Sequence, residues 1–370
     1  MKDRIYVCHT FYHAYVAILK ELEIRKTRKD TGAALVLSTM SNDFGNLKER
    51  VVRSGLFEDV FTFEEKDYTY FPELVELKKD RGNIVFNSLQ RIKFCKKLGK
   101  LQEKYIPVDF RSYKDIYVFC DSDPIGYYLF YKKIKYHAVE DGLNCIRYRD
   151  TAREDNAGHF GFKSFLAQIG ILFIQNGYSK YCIDMEVNDI SVLDNPIDKM
   201  VEKSREELVS ALDDEGKKLL CDIFIENRRQ LSSVLDKASE SGLNTVLVLS
   251  EPLCKDLTVR KKLFSDLIDK YGVIDGKKAK VFIKPHPRDA LDYKKEFKDE
   301  IVMDSHFPME ILNFLGATFD RVVTVYTVPS SIHCAKEKIY LGNEWMDHYE
   351  DPKLHAHVKN SKSFVTKEGK

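Results

Sequence analysis

Val281-Phe282-Ile283-Lys284-Pro285-His286-Pro287-Arg288-Asp289 runs from three apolar residues straight into a histidine held between two prolines. The apolar run reads as a short buried strand. Each proline fixes its own φ and pushes the residue before it toward extended geometry, so His286 has little backbone freedom. A titratable imidazole on a stiff loop just past a buried strand stands where open α/β sheets bind ligands. Taken alone, the stretch also fits a proline-rich loop with an incidental histidine, and the rest of the chain has to decide.

Working outward, Thr245 to Ser250 is an apolar strand and a helical pattern over roughly 258–271 leads from it into Val281. Beyond the loop come a short strand at Ile301-Val302-Met303, a helix from about 308, a strand over Arg321–Val325, the turn Pro329-Ser330-Ser331 and a last strand over Lys338–Gly342. The first half repeats the pattern. Strands are expected at Ile5–Cys8, Ala33–Ser38, Asp59–Phe63, Ile116–Cys120 and Tyr136–Val139, with helices after the first strand, over roughly 44–54, and within the Lys- and Leu-rich stretch 73–105. Alternation of short apolar strands with helices predicts α/β units with mostly parallel sheets covered on both faces. Residues 143–240 are mixed, and their strongly charged part from about 196 reads as a helical connector or an oligomerisation arm. The expected division is 1–240, with a helical insertion over about 155–240, then 241–345, then a polar tail over 346–370. The two α/β units are expected to face a central cleft.

Composition sets bounds. At 370 residues the chain is too long for one ordinary core. Lys+Arg of 59 against Asp+Glu of 58 gives nothing global that would favour nucleic acid. The eight cysteines are scattered with no Cys-x-x-Cys pair, which favours reduced core thiols and a cytosolic setting. Met1 to Cys8 reads as a strand start and not as a signal peptide, and the apolar run Phe165–Ile174 is too short to span a bilayer. A cytosolic protein, or one peripheral to a membrane, is expected. Neither unit carries a Gly-x-Gly-x-x-Gly or a Walker-type loop, which argues against a nicotinamide enzyme or a P-loop NTPase.

Several residues could carry chemistry. Glu140-Asp141-Gly142 ends a strand, and adjacent carboxylates on a strand point to opposite sides. One can therefore serve as a base while the other caps a helix or orients the loop. Ser330 and Ser331 follow Pro329, where they either cap a helix or combine hydroxyls and backbone N–H groups into an anion site. Glu310 in Pro308-Met309-Glu310 is favourable in a helical first turn and could equally bind a ribose diol. Asp121-Ser122-Asp123 precedes Pro124 and a helix, so capping is preferred to a metal site, and no His/Cys/Asp cluster has metal-ligand spacing.

Glu140-Asp141-Gly142, Lys284-Pro285-His286-Pro287 and Ser330-Ser331 together resemble the acidic-Asp-Gly, His-Pro and Ser-Ser motifs of bacterial sialyltransferases, in the same order. Ile5-Tyr6-Val7-Cys8-His9-Thr10-Phe11-Tyr12-His13 is similar to the opening of glycosyltransferase family 52, which includes lipooligosaccharide and capsule enzymes. The resemblance runs from residue 5 to about 342. It implies a GT-B fold, a CMP-sialic acid donor bound by the C-terminal domain, a glycan acceptor on the N-terminal side, no metal, no further cofactor, and inversion. Carried over by motif, Glu140 or Asp141 is the general base and His286 meets the departing CMP phosphate. Ser330 and Ser331 hold that phosphate, with Lys284 and Pro287 beside it, and Glu310 takes the ribose. A base from the second domain, Glu251 or Asp256, is the alternative, and Glu251 otherwise joins the donor-binding set. Rival readings are a transferase of another CMP-activated ulosonic acid such as Kdo, a nucleotide-sugar epimerase, and a non-catalytic glycan-assembly subunit. Peripheral association with the inner face of the membrane and a homodimer are two further expectations.

Overall fold

A computed structural model describes residues 1–28, 32–142, 146, 156 and 158–355. The chain forms two compact units, Met1–Gly216 and Lys217–Lys370. The division falls inside the stretch read as a connector, and the helix Asp214–Phe224 runs across it.

The first unit is built on seven strands: β1 Lys2–Cys8, β2 Ala33–Ser38, β3 Asp59–Phe63, β4 Tyr113–Phe119, β5 Tyr136–Val139, β6 Cys182–Val187 and β7 Met200–Glu202. They lie in the order β3-β2-β1-β4-β5-β6-β7, every pair parallel. All six residues of β2 are buried, as a parallel strand covered on both faces requires. The helix Phe11–Thr27 follows β1, opened by Thr10, whose hydroxyl accepts the His13 N–H at 3.2 Å. It buries polar groups as well as apolar ones. Arg4 on β1 donates to Glu21 at 2.8 Å and Lys20 pairs with Glu186 of β6.

The second unit carries a five-stranded parallel sheet from β8 Thr245–Leu249, β11 Lys280–Lys284, β12 Ile301–Val302, β13 Phe319–Thr324 and β14 Ala335–Tyr340, in the order β12-β11-β8-β13-β14. A small antiparallel hairpin, β9 Val273–Ile274 with β10 Lys277–Lys278, sits between β8 and β11 in sequence. In each sheet the order reverses once, between β1 and β4 and between β8 and β13. The carboxyl ends of the strands flanking such a reversal leave the crevice in which α/β sheets bind ligands.

The structure departs from the sequence reading in several places. β6 and β7 lie in the region taken as mixed and helical, whose described residues also form the helices Phe160–Gln168, Arg205–Ser210, Asp214–Phe224 and Arg228–Glu240. The stretch 73–105 is two helices, Pro72–Leu77 and Ile84–Gln102, separated by a turn in which Gly82 has φ 67°. The helix expected from 308 is a 3₁₀ turn, Met309–Phe314, and no helix follows Ser330-Ser331. A 3₁₀ turn over Pro329–Ser331 leads instead to β14, because only residues 325–334 separate β13 from its parallel neighbour. Gly342 opens a short helix in place of ending a strand. The tail beyond residue 355 lies outside the described residues.

Helix Ile84–Gln102 rests on helix Pro124–Lys132 through Gly99. A Cβ there would run into the Tyr127 carbonyl oxygen and lie 2.6 Å from Tyr131 Cβ, so only glycine permits this approach. Gly99→Ala should cost about 1–3 kcal/mol in urea unfolding, the usual range for overpacking.

Candidate functional site

Two groups of polar side chains collect at the carboxyl edges of the two sheets. In the first unit, His9 follows β1 and is 1% exposed. Its Nδ1 meets the Phe119 carbonyl oxygen at 2.8 Å, which ties the end of β1 to the end of β4 across the reversal. Its Nε2 meets Glu65 at 2.8 Å. Glu65, just beyond β3, also accepts from the Ser38 hydroxyl at 2.7 Å and the Ile125 N–H at 2.6 Å. Burial alone would lower the His9 pKa; the charges of Glu65 and Asp123 and the Glu65 hydrogen bond outweigh it and raise the value to about 9. His9 is therefore an imidazolium at neutral pH, donating from both nitrogens.

One turn on, His13 is fully buried, and its Nδ1 accepts the His9 backbone N–H at 3.0 Å. That bond puts the ring proton on Nε2, which donates to Asp141. Asp141 keeps about a third of its side chain exposed. Its neighbour Glu140 is 2% exposed and accepts the Asn188 N–H at 2.9 Å. Burial pushes the Glu140 pKa up, against the nearby Arg205 charge and that N–H. The two adjacent carboxylates thus have different tasks: Glu140 closes the β6 loop, and Asp141 is the one oriented by a histidine and open to solvent. Asp121 accepts from Tyr136 OH and from the Asn176 N–H, both at 2.8 Å, while Asp123 precedes the helix started by Pro124 without capping it through its side chain.

In the second unit, Ser250 follows β8 and accepts the His286 N–H at 3.1 Å. The Ser250 hydroxyl donates to Asp289 at 3.4 Å. Asp289 also pairs with the buried guanidinium of Arg260 and accepts from Tyr293 OH at 2.8 Å. This frame holds the Lys-Pro-His-Pro loop. His286 Nδ1 accepts the Arg288 N–H at 3.1 Å, so Nε2 carries the proton. Burial, with Arg288 and Lys284 adding to it, lowers the His286 pKa to about 4. Its neutral ring therefore presents an N–H donor throughout the physiological range.

Lys284 is 3% exposed, donating to the Pro285 and Ser305 carbonyls at 2.8 and 3.2 Å with its ammonium 4.3 Å from the Phe307 ring centre. Burial lowers its pKa to about 7, opposed by Asp304 and Glu310. Half-buried Glu310 is pushed up by desolvation, with Lys284 acting against that. Pro287 is half-buried beside His286, and Ser330 is exposed. The Ser331 hydroxyl donates to the Val328 carbonyl at 3.1 Å. Glu251, read as a base or a donor-binding group, is a latch. It accepts from Thr324 Oγ1 at 3.1 Å, the Tyr326 N–H at 3.0 Å, and both the N–H and the hydroxyl of Thr327 at 2.5 and 2.6 Å. With its lone pairs so occupied, it fixes the loop that leaves β13 across the reversal. Asp256 caps the helix Leu257–Tyr271 by accepting the Thr258 N–H at 2.7 Å.

The model of glycosyltransferase family 52 matches residues 61–337. The chain belongs to glycosyltransferase family 52. Over 97 residues, a quarter of this family 52 chain, it is 35% identical to an uncharacterised protein of Haemophilus influenzae, and the match spans 30% of that protein. The fold is GT-B. It is similar to the GT-B domain of a sialyltransferase from Photobacterium damselae, with TM-score 0.53 and 13% identity over 97% of both chains. It is also similar to a 2,6-sialyltransferase from Photobacterium sp. JT-ISH-224 in complex with CMP and lactose, with TM-score 0.57 and 10% identity over 98% of this chain and 77% of that one.

Sequence reading singled out Glu140, Asp141, His286 and the serines of this family 52 chain but missed the parts that orient them. His9-x-x-x-His13 straight after a buried strand was the available signal for the first unit. Glu65, Asp289 and Arg260 gave none, since their partners are distant in sequence.

His9 supplies a prediction. Its pKa is raised from the ordinary 6.5 to about 9, so its stabilisation is complete below pH 6.5 and is lost as the pH rises through about 9. His9→Gln should be destabilised on the order of 3 kcal/mol at pH 6. In urea unfolding, the gap to wild type should shrink steadily between pH 7 and 10.

Proposed function

We propose that this family 52 enzyme is an inverting, metal-independent sialyltransferase that moves sialic acid from its CMP donor to a galactose-type sugar of a bacterial surface glycan. The observation that carries the reading is the His286 loop, with Nδ1 tied down and Nε2–H left as donor, in a chain of this family. The resemblance of the short motifs and the likeness to an enzyme crystallised with CMP and lactose support the donor and acceptor classes.

In the reaction, the acceptor hydroxyl oxygen attacks the anomeric carbon while the bond from that carbon to the CMP phosphate oxygen breaks. The hydroxyl proton passes to Asp141, and CMP leaves with the electron pair of the broken bond. Asp141 is preferred to Glu140 because it is exposed and oriented by His13, whereas Glu140 is buried and engaged by the Asn188 N–H. His286 stabilises the departing phosphate as a hydrogen-bond donor and gains proton affinity once that dianion is beside it. Ser330 adds its exposed hydroxyl there, Ser331 holds the turn through the Val328 carbonyl, Glu310 takes the ribose, and Lys284 and Glu251 hold their loops in shape. The leaving group is already a phosphate, so fixed donors suffice where other transferases use a cation.

The test is CMP release from CMP-sialic acid that depends on added lactose. His286→Ala and Asp141→Asn should each lower that turnover by about 10²–10⁴, with thermal midpoints close to wild type. Glu140→Gln should chiefly cost stability. Turnover of CMP-Kdo alone would refute the sialyl assignment, and CMP-independent sugar isomerisation would refute transfer altogether.

A further inference from the structure

Helix Ile84–Gln102 has two halves of different character. From Phe94 onward it buries Phe94, Cys95, Leu98, Gly99 and Gln102 along one stripe. Its first two turns bury nothing, yet they carry Ile84, Val85, Phe86 and Leu89, which are 60, 62, 62 and 51% exposed. At 100° per residue, Val85, Phe86 and Leu89 fall on the face opposite the buried stripe, and so do Lys93, Lys96 and Lys100. These three lysines are exposed. The segment 72–104 holds nine lysines and arginines against four carboxylates, in a chain whose totals are 59 and 58. Three of the four carboxylates, Glu73, Glu76 and Glu103, meet lysines at the surface and leave the excess standing.

Three exposed apolar side chains at the tip of a helix, followed along the same face by lysines, have the chemistry of an interfacial anchor. The apolar groups enter the acyl boundary, and the ammonium groups lie at the level of anionic headgroups. We propose that this face binds the surface of an anionic bilayer. A second copy of the chain fits less well, because a two-fold contact would lay the face on itself and oppose like charges. The apolar tip also distinguishes it from a merely solvated basic helix. No described helix is long and apolar enough to cross a membrane, so the contact is made from one side. The inference goes beyond the transferase reading and holds whichever sugar is moved.

The test is co-sedimentation of the full chain with phosphatidylcholine vesicles, with and without phosphatidylglycerol. Binding should require phosphatidylglycerol and weaken steeply with salt. Replacing Val85, Phe86 and Leu89 together by serine should lower binding by at least about tenfold, and Lys93, Lys96 and Lys100 together by glutamine by about a hundredfold. Both variants should keep the wild-type thermal midpoint, since every altered side chain is exposed. Absence of binding, binding indifferent to phosphatidylglycerol, or binding unchanged in the serine variant overturns the proposal. So does a serine variant that converts a dimer to a monomer without any vesicle binding in the wild type, which would assign the face to a second copy.

Discussion

A backbone N–H that leaves a parallel sheet at its carboxyl edge loses its ladder partner and, if buried, must find another. Here buried carboxylates take up that role repeatedly. Glu65 accepts the Ile125 N–H, Asp121 that of Asn176, Glu140 that of Asn188, Glu251 those of Tyr326 and Thr327, and Asp289 that of Leu291. The first four join the end of one strand or loop to another loop, and Asp289 turns its own loop while binding Ser250, so these edges, where open α/β sheets bind ligands, are stiffened by the protein itself. The arrangement carries its own electrostatic cost, because every one of these groups is desolvated. Arg260 beside Asp289 and His9 beside Glu65 supply the compensating charge.

The two units solve the same problem with opposite chemistry. At the β1/β4 reversal a donor, His9, reaches across to a carbonyl; at the β8/β13 reversal an acceptor, Glu251, reaches across to amides and hydroxyls. Around these bridges stand the two histidines whose tautomers are set by a backbone N–H onto Nδ1, His13 and His286. In both, the protonated nitrogen is Nε2. One directs it at a carboxylate, the other keeps it as a donor on a stiff loop.

Much of the fold was legible because buried parallel strands are short continuous apolar runs, and β2, β8 and β11 read that way at once. β6 was not, since Cys182–Val187 contains Asp184 and Glu186. Glu186 reads as a surface residue until Lys20, 166 positions away, is seen to neutralise it. The stiffness of the His286 loop was legible from its prolines, and the carboxylate pair Glu140-Asp141 from its place after a strand. That Asp141 is open to solvent while Glu140 is buried, and that Glu251 is held by residues 73 to 76 positions distant, are facts local sequence does not report. The helix expected after Ser330-Ser331 fails for want of length, as ten residues cannot carry a helical crossover between adjacent parallel strands.

The strand order of the first unit also governs how the chain reaches its folded state. β1 is central, paired on one side with β2 and on the other with β4, which begins at Tyr113. During synthesis the amino-terminal strand must therefore wait for more than a hundred further residues before its second edge is covered, and the sheet is complete only after β7 at Met200–Glu202 has emerged. Contacts of such sequence separation form slowly and leave hydrophobic edges open meanwhile. Truncations before residue 202 should leave an incomplete sheet, with the outer edge of β6 uncovered.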